Sequence, residues 1–325
     1  MSSVKLNSGM NIANLQVIRC LGSGSYGDVY LCRNPDGDEF AVKIEEIMKR
    51  QLDVEISVYE KLAEVLPTNF CSFFSSGHTE VCSSDGRHLL IKYLVISVVG
   101  RSLAKLLLDC NSQFSSGTAI GVSIQLLDAI YVLHDLGFVH CDIKMENMAI
   151  GQSDSERRRL YLFDFGHAHN AVAYSRKIDI EPWFYITIRM FYGQIGQRSL
   201  DEILPQCPSE LHEIYSHIKE LKLHQRPDYD RIKRILRTAK GRFEQQQQHR
   251  KACPRRWWPC LMSAGTHVAF ALVAHSYHVA NQQQRKACPR RWWTCLISAG
   301  THVAFALVAH SHHVAAVTSR DYVPS

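Results

Sequence analysis

The sequence predicts an α+β chain whose strand-rich front half gives way to a mainly helical back half. Three observations predict it: β-branched runs broken by turn residues up to residue 46, period-3.6 apolar stripes after Gly100, and a change of composition near residue 245.

The front half opens with "LQVIRCLGSGSYGDVYLCRN" and "EFAVKIEEI", two strand-like regions separated by the turn "PDGDE". In "KRQLDVEISVYEKLAEVLP" the residues Leu52, Ile56, Tyr59, Leu62 and Leu66 share one helical face, and Pro67 ends the helix. A second β region, "HLLIKYLVISVVG", follows. Beyond it Ile120, Ile124, Leu127, Ile130 and Leu133 form one stripe, with Gly137 as the stop.

At "FEQQQQHRKACPRRWWPC" the composition shifts to a glutamine run, and residues 250–280 recur as 285–315 with a period of 35 residues and three differences in 31 positions. Two copies are too few for a self-stacking solenoid. This divides the chain into a domain over 15–245 and a basic tail over 246–325, expected to be poorly ordered.

The net charge of +6 belongs to that tail. Residues 250–325 hold nine Lys/Arg and one acidic residue, which leaves 28 basic against 30 acidic residues, or −2, for residues 1–249. The charge therefore gives no reason to expect nucleic acid at the domain. In the tail, "KACPRRWW" suits a membrane interface or base stacking. The apolar run "CLMSAGTHVAFALVA" falls short of a bilayer span, so no transmembrane segment is expected. Cys253, Cys260, His267, His275 and His278 invite a zinc reading but match no familiar finger spacing. Recently duplicated or misassigned coding sequence without a selected function is the plainer reading. Eleven scattered cysteines and an N-terminus without a continuous apolar stretch point to reduced thiols inside the cell, in the cytoplasm with the nucleus left open.

The chemistry lies in an ordered set. Gly22, Gly24, Gly27 and Val29 fit Gly-x-Gly-x-x-Gly-x-Val, a turn that can lie close over phosphates; alone it would be weak. It is followed by Ala41-Val42-Lys43, by Glu55 in the first helix, by His140-Cys-Asp142-Ile-Lys144-Met-Glu-Asn147, and by Asp164-Phe-Gly166. The set resembles a protein kinase of the casein kinase 1 superfamily, nearest the tau-tubulin kinase branch. "VVGRSLAKLL", "KIDIEPWFYITIRMFYGQ" and "RPDYDRIKRIL" resemble its post-hinge segment, central helix and closing helices.

The resemblance implies a two-lobed fold, a small β-sheet lobe over a mainly helical one, with MgATP in the cleft and a protein Ser/Thr hydroxyl as acceptor. Lys43 would hold the α and β phosphates with Glu55 keeping it in place. Asn147 and Asp164 would hold magnesium, and Asp142 would orient the acceptor hydroxyl and take its proton. Lys144 resembles the catalytic loop of serine/threonine kinases. Val29 and Ala41 would wall the adenine, Ile96 would guard the back of the pocket, and the segment Ser97–Gly100, including Val98, would form the hinge.

Three departures stand against this pattern. Cys141 replaces the Arg that commonly pairs with a phosphorylated activation loop. Met145 replaces a Pro. Between Asp164 and Asp179 lie only 14 residues, where a kinase usually has about three dozen. The expectation is a kinase with impaired turnover; the alternative is a nucleotide-binding pseudokinase that acts through protein interactions.

Overall fold

In the computed structural model, residues 4–24, 27–193 and 199–252 are described. The chain divides into two units, Met1–His249 and Arg250–Ser325, and the described elements lie in the first apart from the end of the last helix, Arg250–Ala252. The tail repeats, with their zinc and membrane readings, lie outside the described residues.

The front half is one six-stranded antiparallel sheet in the order β1-β2-β3-β4-β6-β5. Its strands are β1 (Asn11–Ile12), β2 (Leu15–Gly24), β3 (Gly27–Arg33), β4 (Glu39–Glu46), β5 (Phe73–Cys82) and β6 (His88–Ser97). Alternation fixes its faces: Val17, Tyr30, Val42 and Ile44 pack with Val4, Leu6 and Ile12 in a separate small core, while Lys43 points the other way, toward the first helix.

That helix is α1 (Gln51–Val65). Leu52, Tyr59 and Leu62 are buried as the periodicity predicts, and Ile56 packs at the core's margin. Leu66 departs from the expected face: it is the left-handed cap at φ 47° and is 81% exposed, because the helix has already ended there. Glu55 and Val58 are buried instead. The sequence reading also passed over β5, whose segment "FFSSGHTEVC" is rich in Ser and Gly; pairing with β6 from Phe73↔Ile96 to Cys82↔His88 makes it a strand.

The back half is helical. It contains α2 (Leu103–Asp109), α3 (Ser116–Asp135), α4 (Lys177–Tyr192), α5 (Leu200–Ile203), α6 (Ser209–Glu220) and α7 (Tyr229–Ala252), with the short strands β7 (Phe138–Val139), β8 (Met148–Ile150), β9 (Leu160–Leu162) and β10 (His169–Asn170). On α3, Ile120, Leu127, Ile130 and Leu133 are fully buried, and Gly137 follows at φ 89° as the stop. Among the described residues α3 alone has the length and apolarity of a membrane span, but its buried face packs on α4, as in a core helix. The joint is locked by the indole of Trp183, which donates to the Ser123 carbonyl at 2.9 Å. The helix α7 continues through Gln245–Gln248 to Ala252, in keeping with the good helix propensity of glutamine.

The segment after Asp164 is as short as its sequence implies. Gly166 and His167 turn, β10 pairs with β7 through His169↔Val139 and Asn170↔Phe138, and one further turn delivers the chain into α4 at Lys177.

Candidate active site

Between the sheet and the helices the chain assembles a charged cluster from four elements. Lys43 on β4 donates to Glu55 Oε2 on α1 at 2.5 Å and to Asp164 Oδ1 at 2.7 Å. Glu55 is 2% exposed, so burial pushes its carboxyl up while the Lys43 charge draws it back. Burial opposes the Lys43 charge, but Glu55 and Asp164 outweigh it and lift the ammonium above the ordinary lysine range. At Asp164 burial pushes upward too, and the Coulombic pull and hydrogen bond of Lys43 more than reverse it, leaving the carboxyl below its usual value.

Asp164 sits at φ 68°, the left-handed region that a non-glycine residue enters at a cost. What holds it is its neighbour. Phe165 is fully buried, edge-on to Tyr59 of α1 at 5.1 Å and to His140 at 5.3 Å. Swinging Phe165 out would empty this core, so the ring fixes the backbone that aims Asp164 at Lys43.

The loop after β7 carries the second half of the site. Lys144 donates to Asp142 Oδ2 at 2.6 Å, and this bond raises its ammonium above the ordinary value. Asn147 donates through Nδ2 to the Asp142 carbonyl at 3.0 Å and to its Oδ2 at 2.9 Å. With its amide nitrogen so used, Asn147 keeps Oδ1 for another partner. His140 takes the Asp142 N–H on Nδ1 at 3.3 Å and donates from Nε2 to the Phe163 carbonyl at 3.2 Å. Burial lowers its basicity, in keeping with that neutral tautomer.

A buried carboxylate supports the whole loop. Asp179 at the start of α4 accepts the His140 N–H at 2.7 Å and the Cys141 N–H at 2.8 Å, and meets His134 Nε2 at 2.8 Å. The other nitrogen of His134 lies 2.5 Å from the Tyr229 hydroxyl of α7. Cys141 has φ 62°, so the strained residue is the one Asp179 grips. Its thiol is pushed up to about 11 by burial. A thiol cannot make the fork-like contact an Arg offers to phosphate.

The remaining predicted residues frame the cluster. Gly22 pairs with Val29 and Gly24 with Gly27 at the end of the β2–β3 hairpin, whose tip, Ser25 and Tyr26, lies outside the described residues. Gly27 is obligatory: at φ 114° an added Cβ would stand 2.3 Å from the Ile44 carbonyl oxygen. Val29 lies opposite Lys43, and Ala41 lies opposite Ile96. Val98 follows β6 in the link to Gly100, whose N–H bonds the Ile150 carbonyl at 2.8 Å.

This donor set suits a metal-bound polyphosphate. It offers a fixed ammonium, a carboxylate held ionised, an amide oxygen left over, and an open glycine backbone: at Gly22 and Gly24 an added Cβ would meet nothing within 4 Å.

Comparison with known proteins agrees. The protein kinase domain model matches residues 15–185, or 171 of the 325 residues, and the chain belongs to that family. A probable serine/threonine-protein kinase of Dictyostelium discoideum is 25% identical over 269 residues, covering 68% of this chain and 52% of the relative. The chain thus spans about half the length of that relative.

Sequence reasoning missed His134, Tyr229 and the supporting role of Asp179. Their link joins residues 45 and 95 positions apart, and the only local signal was the placing of Asp179 at a helix start.

Proposed function

We propose that the chain is an ATP-dependent serine/threonine protein kinase of casein kinase 1 type, nearest the tau-tubulin kinase branch, working inside the cell. The observation that carries this reading is the closed Lys43–Glu55 pair, joined to Asp164, beside a loop after β7 in which Lys144 and Asn147 both bond Asp142.

In this reading magnesium, held by Asp164 and Asn147, would neutralise charge on the phosphates of ATP. Lys43 holds the α and β phosphates and is kept straight by Glu55. Lys144 stands 2.6 Å from Asp142, placed to carry charge on the transferred group. The acceptor hydroxyl lies against Asp142, which takes its proton. The casein kinase 1 assignment is supported by the three quoted segments; Cys141 is a departure that this reading tolerates, since the resemblance does not require a phosphate-pairing Arg there.

A second reading, a nucleotide-binding pseudokinase acting through protein interactions, is favoured by the direct run from β10 to α4, which provides little surface to position a peptide. The test is phosphoryl transfer from labelled MgATP to protein and peptide acceptors, set beside MgATP binding. Transfer lost in Asp142→Asn supports the kinase. Binding with no transfer above that variant supports the pseudokinase.

A further inference from the structure

Helix α1 begins without a cap of its own. Arg50 at its N-cap makes no side-chain capping bond, and first-turn N–H groups lack intrahelical partners. The Leu52 N–H is taken instead by Glu45 Oε2 at 3.0 Å. Glu45 lies on β4 two residues after Lys43, so both side chains leave the same face of the strand. Its negative charge also meets the positive end of the helix.

Beside it on β6, in register with Glu45, stands Lys92. Its ammonium donates to the Lys49 carbonyl at 2.6 Å, in the link before α1, and to Asp53 Oδ2 at 2.5 Å, in the helix's first turn. Glu45 is 2% exposed and Lys92 5%. Two buried side chains of the sheet thus pin the start of α1 at three points, one turn before Glu55.

Glu55 can meet Lys43 only if α1 neither rotates nor slides. Each residue of a helix turns about 100° and rises about 1.5 Å, so slipping by one residue would carry Glu55 away. In protein kinases the placing of this helix is commonly governed by a phosphorylated activation segment. Here only 14 residues separate Asp164 from Asp179, and Cys141 stands where the phosphate-pairing Arg would be.

We propose that Glu45 and Lys92 are positioning residues for the nucleotide site, latching α1 so that the Lys43–Glu55 pair forms without any signal from the activation segment. The inference rests on the nucleotide-binding reading above. One further detail favours positioning over stability: Glu45 Oε1 is buried without a hydrogen-bond partner. An apolar residue of similar size would avoid that cost.

The experiment compares full-length wild type with Glu45→Gln, Glu45→Leu and Lys92→Met. It measures MgATP affinity by calorimetry, the melting temperature without nucleotide, and amide exchange at Leu52–Glu55. Glu45→Gln retains an oxygen for the Leu52 N–H and should bind within about threefold of wild type. Glu45→Leu and Lys92→Met should bind at least about tenfold more weakly. Their melting temperatures should fall by no more than about 3 °C, and exchange at Leu52–Glu55 should quicken. Wild-type affinity in Glu45→Leu, or weakening only in step with global destabilisation, overturns the latch. A wild-type chain that does not bind MgATP overturns the nucleotide reading alone; the latch is then judged by exchange, and undiminished protection of Leu52 in Glu45→Leu refutes it.

Discussion

Asp179 is the residue whose loss should cost most. It is fully buried and accepts two backbone N–H bonds, from His140 at 2.7 Å and Cys141 at 2.8 Å, besides its 2.8 Å contact with His134 Nε2. Asp179→Ala would leave three buried donors unmatched, at about 1–3 kcal/mol each. Relaxation of Cys141 from its φ of 62° would return about 1 kcal/mol. The net loss should be about 2–8 kcal/mol, a large share of the roughly 5–15 kcal/mol typical of a folded domain. Urea unfolding with an unchanged m-value reads it directly. Asp179→Asn keeps the shape and one oxygen but turns an amide NH₂ toward the remaining donors, so it should lose about half as much and remain measurable if the alanine variant does not fold. Affinity for MgATP should fall little in Asp179→Asn, because Lys43, Glu55 and Asp164 do not touch this carboxylate. A loss below about 1 kcal/mol in Asp179→Ala would show that the loop is held by something other than the bonds described.

MgATP should raise the melting temperature by mass action, and Asp164→Ala should remove most of that rise; an absent rise in wild type at millimolar MgATP refutes the nucleotide site. Burial pushes the Cys32 and Cys71 thiols up from 9.0 to about 12. Their folded pKa is raised, so their contribution is complete below pH 9 and is lost as pH climbs toward 12, the unfolded chain ionising first. At pH 10 this amounts to about 1.4 kcal/mol per thiol; the decline in stability between pH 8 and 10 should shrink in Cys32→Ala/Cys71→Ala, and an unchanged decline refutes the assignment. Grafting a family-like activation segment between Gly166 and Asp179 should raise peptide phosphorylation at least about tenfold, equivalent to about 1.4 kcal/mol of barrier. That gain should vanish with Asp142→Asn; brisk phosphorylation by the ungrafted chain would refute the need for the segment.

Local pattern carried most of the architecture. Lys43, Asp142, Lys144, Asn147 and Asp164 were legible because each stands in a short motif of an ordered set that resembles a protein kinase, and Glu55 because it falls in the helix that follows Lys43. What the sequence hid were partners that meet only in the fold. Leu66 satisfies the helical period yet lies beyond the last helical turn, and a left-handed cap is invisible to a periodicity count. The strand at Phe73–Cys82 has weak intrinsic propensity and exists through its partner. The Glu45–Leu52 and Tyr229–His134 bonds join residues whose types carry no motif at all.

The two readings of function divide at the segment between Asp164 and Asp179, and the structure shows why this region bears on them unequally. Apart from Phe165, the segment's first residue, clamped by Tyr59 and His140, the groups that fix the charged cluster come from outside it: Lys43 from β4, Glu55 from α1, Asn147 and Lys144 from the loop after β7. Shortening the segment therefore leaves the cluster closed. It also brings β10 to within a few residues of α4, with Val172, Tyr174 and Ile178 left exposed along the way. A peptide acceptor must be held for its hydroxyl to reach Asp142, and positioning of this kind supplies much of a kinase's rate. Nucleotide binding and acceptor positioning are thus separable in this chain. The first depends on residues locked from the sheet side, the second on a surface that 14 residues are too few to build. Slow transfer beside firm MgATP binding is the outcome the proposed kinase reading predicts for this arrangement.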